Sequence, residues 1–258
     1  MEFQTVIEYT SQAEQYKYQI RNLLQQETLS YRLIKVARHD HVFTCGDEAL
    51  MVYLIDNGQV KLLSPSPEGK ECLVAIYTRG DIFGELCLCG QNTRQCTAIA
   101  MKDTVLKQIP CSSIAAVLRR QPDLGALVQY LVARVAEQEQ IISSLLTVNS
   151  ERRLALTLLR LAKQLGKHDP RSICIDQKIS QEELAAMVGT TRTRIGMFLK
   201  KFREYGLIDL TAERHFIIKE SRLKEYLESM TFVEGSPEQG VHLRQRDLPD
   251  ELTSHPAL

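Results

Sequence analysis

The segment Ser180–Arg203, SQEELAAMVGTTRTRIGMFLKKFR, gathers the residues whose types and spacing could do chemistry. Ser180 followed by Glu183 is the capping-box pattern that opens a helix, and Leu184, Ala185 and Val188 give that helix an apolar stripe. Gly189 stands where the helix must stop and turn. Thr190 or Thr191 then caps a second helix, in which Ile195, Phe198, Leu199 and Phe202 recur at i, i+3, i+4, i+7 and are expected to be buried. Arg192, Thr193, Gly196, Met197 and Lys200 fall on or near the opposite face, where side chains could reach base edges. From Val188 to Arg203 there are five Arg or Lys and no Asp or Glu, so the second helix can neutralise phosphates without repelling them. This is the pattern of a DNA-reading helix-turn-helix. The plainer alternative is a helical hairpin with a solvated basic face.

The elements that must position this segment come next. At 258 residues, 44% hydrophobic and 25% charged, the chain is long enough for two domains with separate cores. The formal net charge is +0, yet residues 151–230 carry 16 Lys or Arg against 11 Asp or Glu, which marks this third as the nucleic-acid end. Residues 1–30 read as a short helical arm. From 31 to 117, short apolar runs such as MVYLI, QVKLL and CLVAIY alternate with turn dipeptides such as Asn57-Gly58 and Glu68-Gly69, which predicts an antiparallel β-roll of the jelly-roll type. Helical periodicity takes over across 118–148, where Leu127, Leu131, Val135, Gln138, Ile142 and Leu145 form a near-heptad stripe. Such a stripe predicts a dimerisation helix; packing against its own roll alone is the alternative.

Residues 149–230 read as a winged helix-turn-helix domain, with an amphipathic helix over 151–167 and a β-hairpin over Gly206–Lys219. The tail 231–258 lacks apolar periodicity and is expected to be disordered. The fold class is therefore α+β. No apolar run approaches the roughly 20 residues a bilayer span needs. With no leader-like opening either, the expectation is a cytoplasmic protein with no membrane partner. Seven scattered cysteines without a repeated C-x-x-C pair argue against a disulfide scaffold and against a structural zinc site. Cys87 and Cys89 would share a face if they lie in a strand, and with Cys96 they form a candidate redox group; buried packing as small hydrophobes is the alternative. His39 and His41 flank Asp40 in what reads as a surface turn. No constellation of Ser/His/Asp, Cys/His or paired carboxylates stands out, so no enzyme activity is expected.

The order of motifs over residues 30–228 resembles the Crp/Fnr superfamily of bacterial transcription regulators. The resemblance is carried by Gly46-Asp47, Tyr53-Leu54-Ile55 with Gly58, Glu68-Gly69-Lys70-Glu71, Gly80-Asp81-Ile82-Phe83-Gly84-Glu85, the Arg94-x-x-Thr97-Ala98 segment, the long helix and VGTTRTRIGMFLKKF. It implies a cyclic-nucleotide-binding-type roll, a homodimer, binding of palindromic double-stranded DNA and contact with RNA polymerase. By position in the matched motif, Arg192, Thr193, Met197 and Lys200 face bases, and Ser180, Gln181, Thr191 and Arg194 hold phosphates. The half-site should differ from that of the catabolite-activator type, because Thr193 stands where that type holds a Glu.

The resemblance also places a candidate effector pocket at Gly84, Glu85, Arg94, Gln95, Gln138 and Glu139. Gly84, Glu85 and Arg94 match the family's phosphate cassette, but Gln95 replaces its hydroxyl residue. Gln138 and Glu139 stand where cAMP-responsive members place Thr and Ser. These departures disfavour cAMP and leave the effector unnamed. A structural role for the cassette, with Arg94 paired to Glu85, is the alternative reading. For the whole chain, the rival to a DNA regulator is a ligand-binding regulatory subunit that docks on another protein.

Overall fold

The computed structural model describes Lys17 and residues 29–66, 71–120, 125–169 and 171–234. The expected N-terminal arm, the Glu68-Gly69 turn and the tail beyond 234 lie outside the described residues, apart from Lys17, Leu29 and Ser30.

Eight strands form the N-terminal roll: β1 (Arg32–Val36), β2 (His41–Phe43), β3 (Met51–Asn57), β4 (Gln59–Pro65), β5 (Glu71–Thr78), β6 (Ile82–Phe83), β7 (Thr97–Ala100) and β8 (Thr104–Pro110). They make two four-stranded sheets, ordered β1-β8-β3-β6 and β2-β7-β4-β5, with every pairing antiparallel. The expected roll architecture is present. Its interior is filled by Phe43, Tyr53, Ile55, Val60, Leu62, Tyr77, Phe83, Ala98 and Leu106. Tyr53 stacks on Phe83 at 5.2 Å and Tyr77 on Phe83 at 5.9 Å, so aromatic rings occupy the middle of the roll.

Helix α1 (Cys111–Arg120) follows β8, and α2 (Gly125–Thr147) is a separate helix. Of the helix expected over 118–148, the described residues hold the last turn of α1 and the whole of α2, and residues 121–124 lie outside the described residues. Helix α2 lays Tyr130 and Ala133 inward, and Tyr130 packs with Leu29, Val52, Leu54, Ile82, Ile109 and Ile114. Along its other side Val128, Leu131, Val132, Val135, Ile142, Leu145 and Leu146 stay exposed, a near-heptad apolar stripe of which only Leu145 meets another element, at Gly189.

The C-terminal domain comprises α3 (Ser150–Leu165), β9 (Gly166–Asp169), β10 (Ser172–Ile175), α4 (Gln181–Val188), α5 (Arg192–Glu204), β11 (Ile208–Leu210), β12 (Phe216–Ile218) and α6 (Glu220–Glu234). The expected hairpin is β11–β12, but it belongs to a four-stranded sheet ordered β11-β12-β10-β9. The sequence reading missed β9 and β10 because they are only four residues each, too short to show alternation, and β9 is broken by Lys167 and Asp169. Helix α6 also continues through 231–234, past the point where the tail was expected to begin.

The roll keeps the core described above, and part of it also packs on the C-terminal domain. Leu63, Leu73, Ile76 and Met101 of the roll share one apolar cluster with Leu158, Leu184, Ile195 and Phe202 of the C-terminal domain. Lys61 Nζ on β4 lies 2.8 Å from Glu183 Oε1 on α4 and crosses the same junction.

Candidate nucleic-acid interface and effector junction

Helix α4 begins with the expected capping box: the Ser180 hydroxyl accepts from the Glu183 N–H at 3.1 Å, and Glu183 Oε2 accepts from the Ser180 N–H at 2.9 Å. Gly189 ends the helix in the left-handed region at φ 65, where a side chain would be strained. A Cβ there would also approach Leu145 Cδ2 of α2 to 2.8 Å, so the turn of the reading unit sits directly against the long helix. Thr191, one of the two candidates, is the cap of α5, its hydroxyl accepting from the Arg194 N–H at 3.4 Å.

Ile195, Leu199 and Phe202 are buried and Phe198 is partly buried, while Leu184, Ala185 and Val188 close the α4 side. This leaves Arg192, Thr193, Met197 and Lys200 exposed on one face of α5, with Ser180, Gln181, Thr191 and Arg194 exposed around its N-terminal end. Arg192 Nη1 contacts Glu182 Oε1 at 3.0 Å, and Lys200 Nζ reaches Glu204 at 3.8 Å; all four side chains are largely in solvent, so these contacts yield readily to a stronger anion.

Arg153, which sequence reasoning did not single out, holds this unit to the rest of the chain. Its Nε donates to the Val188 carbonyl at 2.8 Å and its Nη2 to Gly189 at 3.4 Å, while Nη1 donates to the carbonyls of Val148, Leu145 (3.3 Å) and Ser144 (3.5 Å). One guanidinium thereby satisfies the orphan carbonyls at the C-terminal ends of both α2 and α4, where the helix dipoles favour a cation.

The six residues of the expected effector pocket are not one constellation. Arg94 is buried and turned into the roll: Nη1 donates to the Gly84 carbonyl at 2.9 Å, Nη2 to the Met51 carbonyl at 2.5 Å, and the guanidinium lies 4.3 Å over the Phe43 ring. Gly84 has φ 78, and a Cβ on it would meet Arg94 Nη1 at 2.7 Å, so glycine is required for this contact. Glu85 opens the short 3-10 helix Glu85–Cys89, and the suggested Arg94–Glu85 pair does not form. Its partner is Arg134 on α2, with Nη1 3.3 Å from Glu85 Oε1. Gln95 is exposed and donates to Thr93, Gln138 lines a cleft between roll and helix, and Glu139 is exposed on α2.

Arg134 is the junction residue that the sequence reading missed. Nη1 also donates to the Ile82 carbonyl at 3.0 Å and Nη2 to the Tyr77 hydroxyl, with the guanidinium 4.6 Å above the Tyr77 ring. Burial opposes its charge, but Tyr77, Tyr130, Glu85 and Asp81 outweigh burial and keep it protonated. Tyr130 completes the network by donating to Asp81 at 3.2 Å, and burial pushes the Tyr77 and Tyr130 hydroxyls well above their ordinary range. The available signal was a lone cation on an otherwise apolar helix side, four residues after Tyr130.

The redox grouping is also corrected. Cys87 and Cys89 lie on a 3-10 helix, where positions two apart do not share a face. Burial, aided by the neighbouring Cys111, pushes the Cys87 thiol up to about 12, and Cys96 is raised by burial with Cys45 as its neighbouring thiol. His39 lies in an exposed turn with φ 74. Among the described residues no His, Cys, Asp and Glu groups are arranged to hold a metal ion, and no helix is long and apolar enough to cross a membrane.

A roll built on this cassette, a long helix and a capped helix-turn-helix are the parts of a DNA-binding regulator. Residues 33–121 match the family model of the cyclic nucleotide-binding domain, and residues 152–226 match that of the Crp-like helix-turn-helix domain. The chain is 32% identical over 180 residues to the global nitrogen regulator of Synechocystis sp. PCC 6803, covering 69% of this chain and 80% of that protein. It is 30% identical over 171 residues to the cyclic AMP receptor protein of Thermus thermophilus, covering 66% and 76%. Among solved structures, a CRP/FNR-family transcriptional regulator, also from Thermus thermophilus, superposes with a TM-score of 0.61 at 25% identity, over 76% of this chain and 98% of that one. The c-di-GMP responsive global regulator CLP of Xanthomonas campestris shares the fold, with a TM-score of 0.61 over 73% and 93% at 23% identity. The chain belongs to the Crp/Fnr family and is a DNA-binding transcription regulator, not an enzyme.

Proposed function

We propose that this regulator works as a cytoplasmic homodimer that reads a palindromic duplex with α5 and engages RNA polymerase at its promoters. The exposed stripe of α2, from Val128 to Leu146, is the surface that a second copy would bury, because valine, leucine and isoleucine at near-heptad spacing favour helix pairing. Two copies would present two α5 helices to two half-sites. Arg192, Thr193, Met197 and Lys200 then contact base edges, and Ser180, Gln181, Thr191 and Arg194 set the register on phosphates. Arg192 is the principal reader, since a guanidinium pairs bidentately with guanine O6 and N7.

The observation that carries the reading is the free face of α5, polar and basic, on a helix whose other face is locked into the core. Binding of cAMP in the usual cassette manner is disfavoured: both terminal nitrogens of Arg94, the residue that would clamp its phosphate, donate to backbone carbonyls inside an aromatic-filled roll, and only its Nε is left over. The test is selection of duplexes from a random pool by the purified protein, followed by binding of Arg192→Ala to the selected site. A palindrome should be enriched, and Arg192→Ala should lose about 1–3 kcal/mol of discrimination at one guanine while keeping its fold. Undiminished discrimination by the folded variant would remove Arg192 as the reader.

A further inference from the structure

Of the cations on α5, Arg192, Arg194, Lys200 and Arg203 stand in solvent, and Lys201 alone is half-buried. Its Nζ lies 2.8 Å from Glu151 Oε1 and 5.8 Å from the centres of both the Tyr205 and the Tyr226 rings. The Tyr226 hydroxyl donates to the same Glu151 oxygen. Burial and the Glu151 carboxylate push that hydroxyl well above its ordinary range, so it stays a donor. Tyr226 also packs edge-on against Phe202 of α5 and Tyr205 at its C-terminal end, with ring centres 5.7 and 6.1 Å apart.

Glu151 is therefore shared by a lysine of the reading helix and a tyrosine of α6. It lies in the first turn of α3. Arg152, the next residue, donates to the Leu227 carbonyl of α6 at 3.0 Å, and Arg153 joins the ends of α2 and α4. These consecutive residues fasten α2, α4, α5 and α6 to the start of α3. The exposed pairs of α5 differ in kind. Arg192 and Glu182 side chains are 69% and 61% exposed, and those of Lys200 and Glu204 are 79% and 59% exposed, so a phosphate can displace either carboxylate. Lys201 and Glu151 are 38% and 17% exposed. Drawing Lys201 away to a phosphate would strand a largely buried carboxylate and lift the cation off two rings.

We propose that Glu151, Lys201 and Tyr226 are positioning residues for DNA reading: they fix the rotation and tilt of α5 against α3 and α6, and Lys201 holds no phosphate. Readout of sequence needs the side chains of α5 within hydrogen-bond reach of base edges, whereas non-specific attraction to the backbone needs only charge. The set therefore serves discrimination and adds nothing to counterion release. Lys201 is thereby removed from the basic residues that neutralise the duplex, although its sequence position beside Lys200 gives no sign of this. The proposal rests on α5 being the helix that reads the duplex.

The experiment titrates the full chain with the selected duplex and with a random duplex over a series of salt concentrations. Lys201→Met keeps an apolar stem over the rings and removes the charge. It should lower the ratio of specific to random affinity at least about tenfold and leave the slope of log affinity against log salt unchanged. Arg194→Ala, the loss of an expected phosphate contact, should instead weaken both duplexes together and flatten the slope by about 0.9 for each copy bound. Lys201→Arg, which returns a cation to the same place, should recover most of the discrimination. Glu151→Gln should behave as Lys201→Met does, and the double variant should lose no more than either single one, because the two act as a unit. Tyr226→Phe, which removes one oxygen, should give a smaller loss of the same kind. A slope flattened by Lys201→Met as much as by Arg194→Ala would make Lys201 a phosphate contact and overturn the proposal. Full discrimination by folded Lys201→Met and Glu151→Gln would overturn it too. An unchanged slope in Arg194→Ala together with undiminished discrimination in Arg192→Ala would instead remove α5 as the reading helix, and the proposal with it.

Discussion

Lys61 and Glu183, 122 positions apart, form an ion pair of 2.8 Å that joins the roll to the first helix of the reading unit. Glu183 serves two partners with its two oxygens: Oε1 takes Lys61, and Oε2 takes the Ser180 N–H and hydroxyl of the capping box. The residue that starts α4 therefore also fixes where α4 sits on the roll.

Lys61→Ala should lower stability by about 1 kcal/mol at neutral pH, since the pair is only partly shielded from solvent. Burial raises the Glu183 carboxyl, but the hydrogen bonds from Lys61 and Ser180 outweigh it and hold the group below its ordinary value of 4.5. A carboxyl depressed on folding contributes stability above its ordinary value and loses it as pH falls through the depressed one. The gap in melting temperature between wild type and Lys61→Ala should accordingly be open at pH 7 and narrow as the pH is taken down below the ordinary carboxyl value of 4.5. A gap that stays constant over this range would rule out the pair as its source.

Arg153→Ala should be costlier, by about 2–3 kcal/mol, because carbonyls at the ends of two helices lose a charged donor at once. Affinity for the selected duplex should fall as well, since α4 loses its link to α2. Denaturant unfolding and duplex titration check the two effects. A loss of stability without any change in duplex affinity would make Arg153 purely structural.

Cys87 should resist alkylation at pH 8 in the folded protein and react fully in denaturant, because its thiol is pushed up to about 12 by burial beside Cys111. Exposed Cys89, two residues away, should label quickly in both states. Peptide mapping of the labelled sites distinguishes them, and equal labelling rates in the folded state would contradict the burial argument.

Val135→Glu puts a charge in the middle of the exposed α2 stripe. Because that face is already in solvent in the single chain, the substitution should leave each copy folded, with stability changed by no more than about 0.5 kcal/mol. It should convert a dimer to a monomer in sedimentation experiments and abolish cooperative binding to a palindrome. An unchanged sedimentation coefficient would move the dimer surface elsewhere.

The sequence alone determined the parts whose physics is local. Ser180 with Glu183, Gly189, the spacing of Ile195, Leu199 and Phe202, and the exposed basic face of α5 are set by capping, left-handed geometry and helical periodicity within 24 residues. The alternation of short strands and turns likewise determined the roll. Only the tertiary structure decided what meets what across the chain. Arg94 turns to Gly84 and Met51 instead of Glu85, Glu85 turns to Arg134, Arg153 joins two helix ends, and Lys61 finds Glu183. A long charged side chain leaves no periodic mark of its partner in sequence, and it goes where burial leaves an opposite charge or an unpaired carbonyl within reach. That choice is made only once the roll, the long helix and the reading domain have packed together.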